Sequence, residues 1–242
     1  TSGTVNITGL GASNLNISGN NGNFSVFTVA SGGSLFVSGV TVSGAKFISN
    51  GNNGGAFNNS GTLTVSNSTI SGNSATNNGG GIYNNSGGTL TVSNSTISGN
   101  TATNDGGGIN NSGTLTVTNS TISGNTAKYG GGIKNSGIAT VSNSTLSGNN
   151  SSFGGGIYNR DLGGNLTVIN TTLSGNSATN SGGGIFNSGT AAVSNSTLSG
   201  NTATTLGGGL YNLGTGTLTN STLSGNSASI AGGGIRNQSN TL

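Results

Sequence analysis

This sequence contains no cysteine, proline, histidine, methionine or tryptophan, and only 3% of its residues carry charge. Without cysteine there are no disulfides and no thiolate metal sites. Histidine and cysteine are both missing, and Asp105 and Asp161 are the only acidic residues. General acid–base and nucleophilic options are therefore nearly exhausted. The two aspartates lie about two repeats apart, too far to act as a hydrolytic carboxylate pair. The glycine runs lack the aspartate of calcium-binding nonapeptides and the lysine of a phosphate loop. The expectation is a protein that is not an enzyme, with no cofactor and no metal. No run reaches the roughly 18 apolar residues of a membrane span, so no membrane insertion is expected. No nucleic-acid partner is expected either. No leader or anchor is legible, and the sequence breaks off at Asn240-Thr241-Leu242 where another strand is due. The expectation is an excerpt of something longer.

What the sequence has in abundance is glycine, 50 residues of 242, together with serine, asparagine and threonine. Such composition usually means disorder, because little apolar surface offsets the entropy of ordering. Regular placement of the apolar residues argues the reverse. A Gly-Gly-Gly-Ile block recurs with its apolar residue at Phe57, Ile82, Ile109, Ile133, Ile157, Ile185, Leu210 and Ile235, at intervals of 24 to 28 residues. A period in this range marks a solenoid. Each repeat holds three short alternating stretches, such as Gly81-Ile82-Tyr83-Asn84, Thr89-Leu90-Thr91-Val92 and Ser95-Thr96-Ile97-Ser98. Alternation places Ile82, Leu90, Val92 and Ile97 inside and Tyr83, Thr89, Thr91, Thr96 and Ser98 outside. The fold expected is all-β, a parallel β-helix or β-solenoid with three short strands per coil of about 25 residues and roughly nine to ten coils. It forms one domain over residues 1–242, with divergent coils in 1–52 and regular repeats in 53–242. In the divergent part, residues 4–8, 14–18, 24–29, 34–38 and 40–43 alternate as strands, and Phe24, Phe27, Leu35, Phe36 and Phe47 suggest a bulkier core.

One spacing never varies. The last apolar residue of the second strand and that of the third are always five apart, as in Val117 and Ile122. Asn67, Asn94, Asn119, Asn143, Asn170, Asn195 and Asn220 occupy that corner. Stacked amides there are expected to form a ladder along the axis. Length varies instead near residues 85–88 and 160–164, where a partner would be engaged.

These motifs resemble the repeats of polymorphic outer-membrane-protein passengers, with their GGA[ILV] and FxxN signatures. Gly54-Gly55-Ala56-Phe57 comes close to the first and Phe47-Ile48-Ser49-Asn50 fits the second. The sequence is more similar still to the Gly/Asn/Ser/Thr-rich repeats of very large secreted bacterial surface proteins. The resemblance implies a right-handed β-helix and an extracellular or bacterial cell-surface location. It is weak for function, because one fold serves many functions.

Three outer features are candidates for function. On the third strand Thr69 and Ser71, Thr96 and Ser98, Thr121 and Ser123, Thr145 and Ser147, Thr172 and Ser174, Thr197 and Ser199, and Thr222 and Ser224 form two hydroxyl files. They resemble ice-binding ranks, against the plainer reading that threonine suits strands. The first strand's outward file ends in Tyr158, Phe186 and Tyr211 before Arg236, aromatics that either meet sugar rings or stack on one another. The two ends present unpaired strand edges, candidates for self-association or for neighbouring solenoid domains. The reading is an extracellular structural or adhesive solenoid that stacks head to tail, with ice binding as first alternative and glycan binding as second.

Overall fold

The computed structural model describes residues 3–46, 53–160 and 163–238. The FxxN stretch at 47–50, the Asp161 carboxylate and the terminal Asn240-Thr241-Leu242 lie outside these residues. The chain winds through nine coils, and among the described residues every strand pairing is parallel. In one coil Ile109–Asn111 forms the first strand, Thr114–Thr118 the second and Thr121–Ser123 the third. Equivalent strands of all coils build three nine-stranded sheets. A fourth, shorter ladder completes each turn and was not expected from the three-strand reading. It pairs Ser74 with Thr101 and Ala75 with Ala102, and later Ser177 with Thr202 and Ala178 with Ala203. Its recurring alanines are buried. Residues this small let the corner close without pushing the coils apart.

In the three nine-stranded sheets register holds from coil to coil, so like side chains stack on like. Val65, Val92, Val117, Val141, Val168 and Val193 form one buried rank, and Ile70, Ile97, Ile122, Leu146, Leu173 and Leu198 another. Ile82, Leu90, Val92 and Ile97 all point inward as alternation requires. The bulkier core expected near the N-terminus is met in part among the described residues, where Leu35 is buried and Phe27 packs against it. Phe24 and Phe36 are exposed, and the inner aromatics are Phe27 and Phe57, stacked at 5.1 Å. Phe36 fails because it occupies the outward register position facing Thr64.

At least three backbone corners per regular coil use the left-handed region. In the coil around Ile109 these are Gly106 (φ 63°), Asn119 (φ 49°) and Gly124 (φ 62°). All seven corner asparagines named above share that conformation, with φ between 48° and 50°. Asparagine tolerates it better than other L-residues with a side chain. Their side chains point into solvent. Among the described residues the ladder expected there is therefore absent as a series, and Asn170 Nδ2 to Asn143 Oδ1, at 3.3 Å and exposed, is the one contact that resembles a rung. The next residue does the stacking instead. Ser120 N–H donates to Ser144 Oγ at 3.1 Å, while Ser120 Oγ donates to the Thr118 carbonyl at 2.7 Å.

Two buried asparagine ladders run elsewhere. At the end of the first strand Asn59, Asn84, Asn111, Asn135, Asn159, Asn187 and Asn212 link amide to amide at 2.7–2.9 Å. After the third strand Asn73, Asn100, Asn125, Asn149, Asn176 and Asn201 do the same at 2.9–3.0 Å. Amides of both ladders also cap backbone carbonyls of other coils, as Asn125 Nδ2 does on Ile97 O at 3.0 Å and Asn59 Nδ2 on Thr89 O at 3.0 Å. These ladders satisfy polar groups that the tight corners would otherwise bury unpaired.

Candidate functional site

The residue before each glycine block is the least constrained of the repeat. Asn78, Asp105, Tyr129, Phe153, Ser181, Leu206 and Ala231 occupy it and stack on one another through parallel bridges. This rank flanks the outward file of the first strand, whose register runs Asn58, Tyr83, Asn110, Lys134, Tyr158, Phe186, Tyr211, Arg236. The flanking side chains lean on the next coil. Asp105 meets Lys134, Tyr129 meets Tyr158, and Phe153 meets Phe186.

The expected contact file of Tyr158, Phe186 and Tyr211 is in register but largely covered. Phe186 and Tyr211 are buried and Tyr158 is half-buried. Tyr158 stacks on Phe186 at 4.9 Å, and Phe186 meets Tyr211 edge-on at 5.1 Å. Offset and edge contacts of this kind contribute about 0.5–1.5 kcal/mol each beyond burial. Tyr129 and Phe153, stacked at 5.6 Å, extend the cluster and are not among the residues picked out by alternation.

At the N-terminal end of this cluster the packing opens into a cleft of about 260 Å³ lined by Asp105, Tyr129, Lys134, Tyr158 and Arg160. Lys134 Nζ lies 3.3 Å from Asp105 Oδ2, with only 6% of the lysine side chain exposed against 22% of the aspartate. Lys128 places its ammonium 5.3 Å from the Tyr129 ring centre, a cation–π contact. The ion pair described here is Lys134 with Asp105, joined across coils.

Burial pushes the Lys134 ammonium below the usual lysine range, the Asp105 carboxylate pulls it back, and Arg160 opposes that pull. Burial also raises the Tyr83 phenol above its ordinary 10.0, helped by Asp105. These shifts set opposite trends in alkali. Lys134 is charged in both folded and unfolded chains below its folded pKa, where its burial penalty is full. The penalty fades as pH rises toward the unfolded value near 10.5. Tyr83 loses its proton first in the unfolded chain, so stability falls as pH climbs past 10.0. We expect the melting temperature to rise toward pH 10 and then turn over. Lys134→Met should flatten the rise and Tyr83→Phe should remove the fall. A rise of equal size in Lys134→Met would disprove the assignment.

The hydroxyl files are in register over all the coils expected, and Thr41 and Ser43 extend them toward the N-terminus. They lie on the outer side of the strand, yet stacking shades them. Thr69, Thr96, Thr121, Thr145, Thr172 and Thr197 are half-buried rather than open. So are Ser71, Ser98, Ser123, Ser147, Ser174 and Ser199. Each is flanked by its counterparts one strand spacing away on either side, which cover part of its surface. Thr222 and Ser224 alone are exposed, because their strand is the last of its sheet among the described residues.

A nine-turn parallel coil with this core agrees with the comparison with known families. A model of the right-handed β-helix region matches residues 4–173. The chain belongs to the right-handed β-helix family. Within this β-helix, residues 170–188 and 195–213 also match the Chlamydia polymorphic membrane protein repeat. Each matched stretch holds a third strand, a buried ladder asparagine (Asn176 or Asn201), a glycine block and a first strand. No curated protein and no solved structure matches this chain.

Proposed function

We propose that this β-helix is an extracellular or bacterial cell-surface rod with a structural and adhesive role and no catalytic one. The observation that carries the reading is the contrast between its outer surfaces. The second- and third-strand faces repeat threonine and serine with hardly a charge, whereas ionic and aromatic side chains gather around one cleft. A uniform, nearly neutral scaffold holds a single distinctive contact site away from its ends. The likeness to polymorphic membrane protein repeats supports the surface location.

The first coil supports association along the axis. Its strand Thr4–Thr8 pairs on one side with Ser34–Ser38, while Val5, Leu10 and Leu15 are exposed. Val5, Ile7, Phe27, Val29 and Leu35 help line an open apolar cavity there. A further coil, from a neighbouring solenoid segment or a second copy, would extend the sheets and fill it.

Retention of beads coated with the chain, measured on immobilised polysaccharides and proteins against albumin-coated beads, tests the adhesive reading. Retention on at least one surface is expected, and none above baseline would sink it. The unbroken hydroxyl files favour ice binding as the second reading. Ice shaping by the purified chain, lost in a Thr121→Lys, Thr145→Lys double variant, would put that reading first.

A further inference from the structure

We infer that the exposed corner between the second and third strands is an acceptor site for asparagine-linked sugar. This rests on the reading of the chain as an extracellular or cell-surface rod, since the motif concerned marks modified surface loops of secreted proteins. Three observations carry it: the triplet at each corner, the sides its residues face, and the freedom of the amide.

Every corner asparagine opens an Asn-x-Thr triplet, as in Asn67-Ser68-Thr69, Asn119-Ser120-Thr121 and Asn195-Ser196-Thr197. That is the acceptor motif for asparagine-linked glycosylation, and it works only where the asparagine is accessible. The coil sorts the three residues. Asn119 is exposed, Ser120 turns inward to bond the Thr118 carbonyl, and Thr121 faces outward again. Among the described residues the Thr121 hydroxyl has no hydrogen-bond partner, and neither have the side-chain amides of Asn67, Asn94, Asn119, Asn195 and Asn220. The same motif occurs on the buried ladders, in Asn84-Asn85-Ser86 and Asn149-Asn150-Ser151. There the first amide donates to Asn111 or Asn176 and is closed off from solvent.

Backbone geometry alone does not call for asparagine at the corner. In the preceding coil Gly39 takes this place with φ 68°, its N–H bonded to Ser66 O as the Asn67 N–H is to Ser93 O. Glycine enters the left-handed region without steric cost. The corner thus accepts the residue best suited to its shape, yet seven regular coils carry the one whose amide can take a sugar.

In the transfer, Asn119 Nδ2 attacks C1 of a sugar activated by a phosphate ester. The N–C1 bond forms as the C1–O bond breaks, the phosphate leaves with the electron pair, and the amide nitrogen gives up one proton to the transferase. Successive corners lie one strand spacing, about 4.8 Å, apart. Across that gap Asn170 Nδ2 reaches Asn143 Oδ1 at 3.3 Å. Sugars so close together must be short and unbranched.

The experiment incubates the intact folded chain with a soluble asparagine glycosyltransferase and UDP-glucose, then maps hexose by peptide mass spectrometry. We expect hexose on Asn119 and its unpaired counterparts and none on Asn84 or Asn149. Thr121→Val, which keeps a strand-forming shape and removes the hydroxyl, should abolish the label on Asn119 and leave it on Asn94. Asn119→Gly should lose it too while melting as the parent chain does. The same map of the chain taken from the surface of its own cells should show sugar on at least one corner. Unlabelled corners, equal labelling of Asn84 and Asn149, or label on Asn119 unchanged by Thr121→Val would each overturn the assignment. A sugar-free chain at the cell surface would overturn it while leaving the surface reading standing. A chain absent from the surface would sink both.

Discussion

Gly107→Ala is expected to open the solenoid in its middle. A methyl on Gly107 would sit 2.5 Å from the Gly131 carbonyl oxygen and 2.6 Å from the backbone of Thr126. All of these are main-chain atoms, so no side chain can swing away. The coils would have to part, straining inter-coil bonds such as Gly80 N–H to Gly106 O at 3.1 Å and Gly107 N–H to Gly130 O at 3.2 Å. Overpacking of a closed site costs about 1–3 kcal/mol, and each bond lost in the interior adds about 1 kcal/mol. We expect at least about 3 kcal/mol by urea denaturation, with hydrogen-exchange protection lost first in the two coils that meet there. Gly124→Ala is the contrast. Its methyl would find its nearest neighbour 3.9 Å away, leaving only the left-handed backbone to penalise, at about 1–2 kcal/mol. A Gly124→Ala chain less stable than Gly107→Ala would refute the close-approach account.

The second large effect is at Asn125. Its Nδ2 donates to Asn149 Oδ1 and to the Ile97 carbonyl, and its Oδ1 accepts from the Asn100 backbone N–H and from Asn100 Nδ2, all at 3.0 Å. Asn125→Ala strands these partners in a corner without solvent access. With about 1–3 kcal/mol for each buried group left unpaired, the loss should exceed roughly 4 kcal/mol. Asn119→Ala, six residues earlier, should cost only about 1–2 kcal/mol, because it forfeits backbone preference and no ladder. Comparable melting temperatures for the two variants would mean that the buried ladder contributes little.

The distance between those two asparagines measures how far the sequence could be read. The period, the parallel stacking and the inward ranks of leucine, isoleucine and valine followed from spacing and alternation alone. So did the fixed corner after the second strand, whose constancy reflects a left-handed Asn119 followed by a bonded Ser120. What misled was the assumption that the least variable asparagine must be the bonded one. Alternation held the correction: Ile109 faces inward, so Asn111 two residues later does too. The fourth ladder was obscured because Ser-Ala and Thr-Ala pairs are too short to show a period. The cleft was half legible. Lys134 and Tyr158 stood on the first-strand file, yet Asp105 and Tyr129 precede the glycine blocks, where no strand pattern points to them. Their signal was variability itself, a position that changes freely inside a unit that otherwise copies itself.

That copying has a geometric consequence. Among the described residues the three nine-stranded sheets are parallel and in register, so inserting or deleting one whole coil restores their ranks, both asparagine ladders and the left-handed corners on each side of the change. Chain length in this molecule is therefore a count. The separation between the cleft and either end can be reset in steps of about 4.8 Å, one strand spacing at a time, while the chemistry of the contact stays as it is.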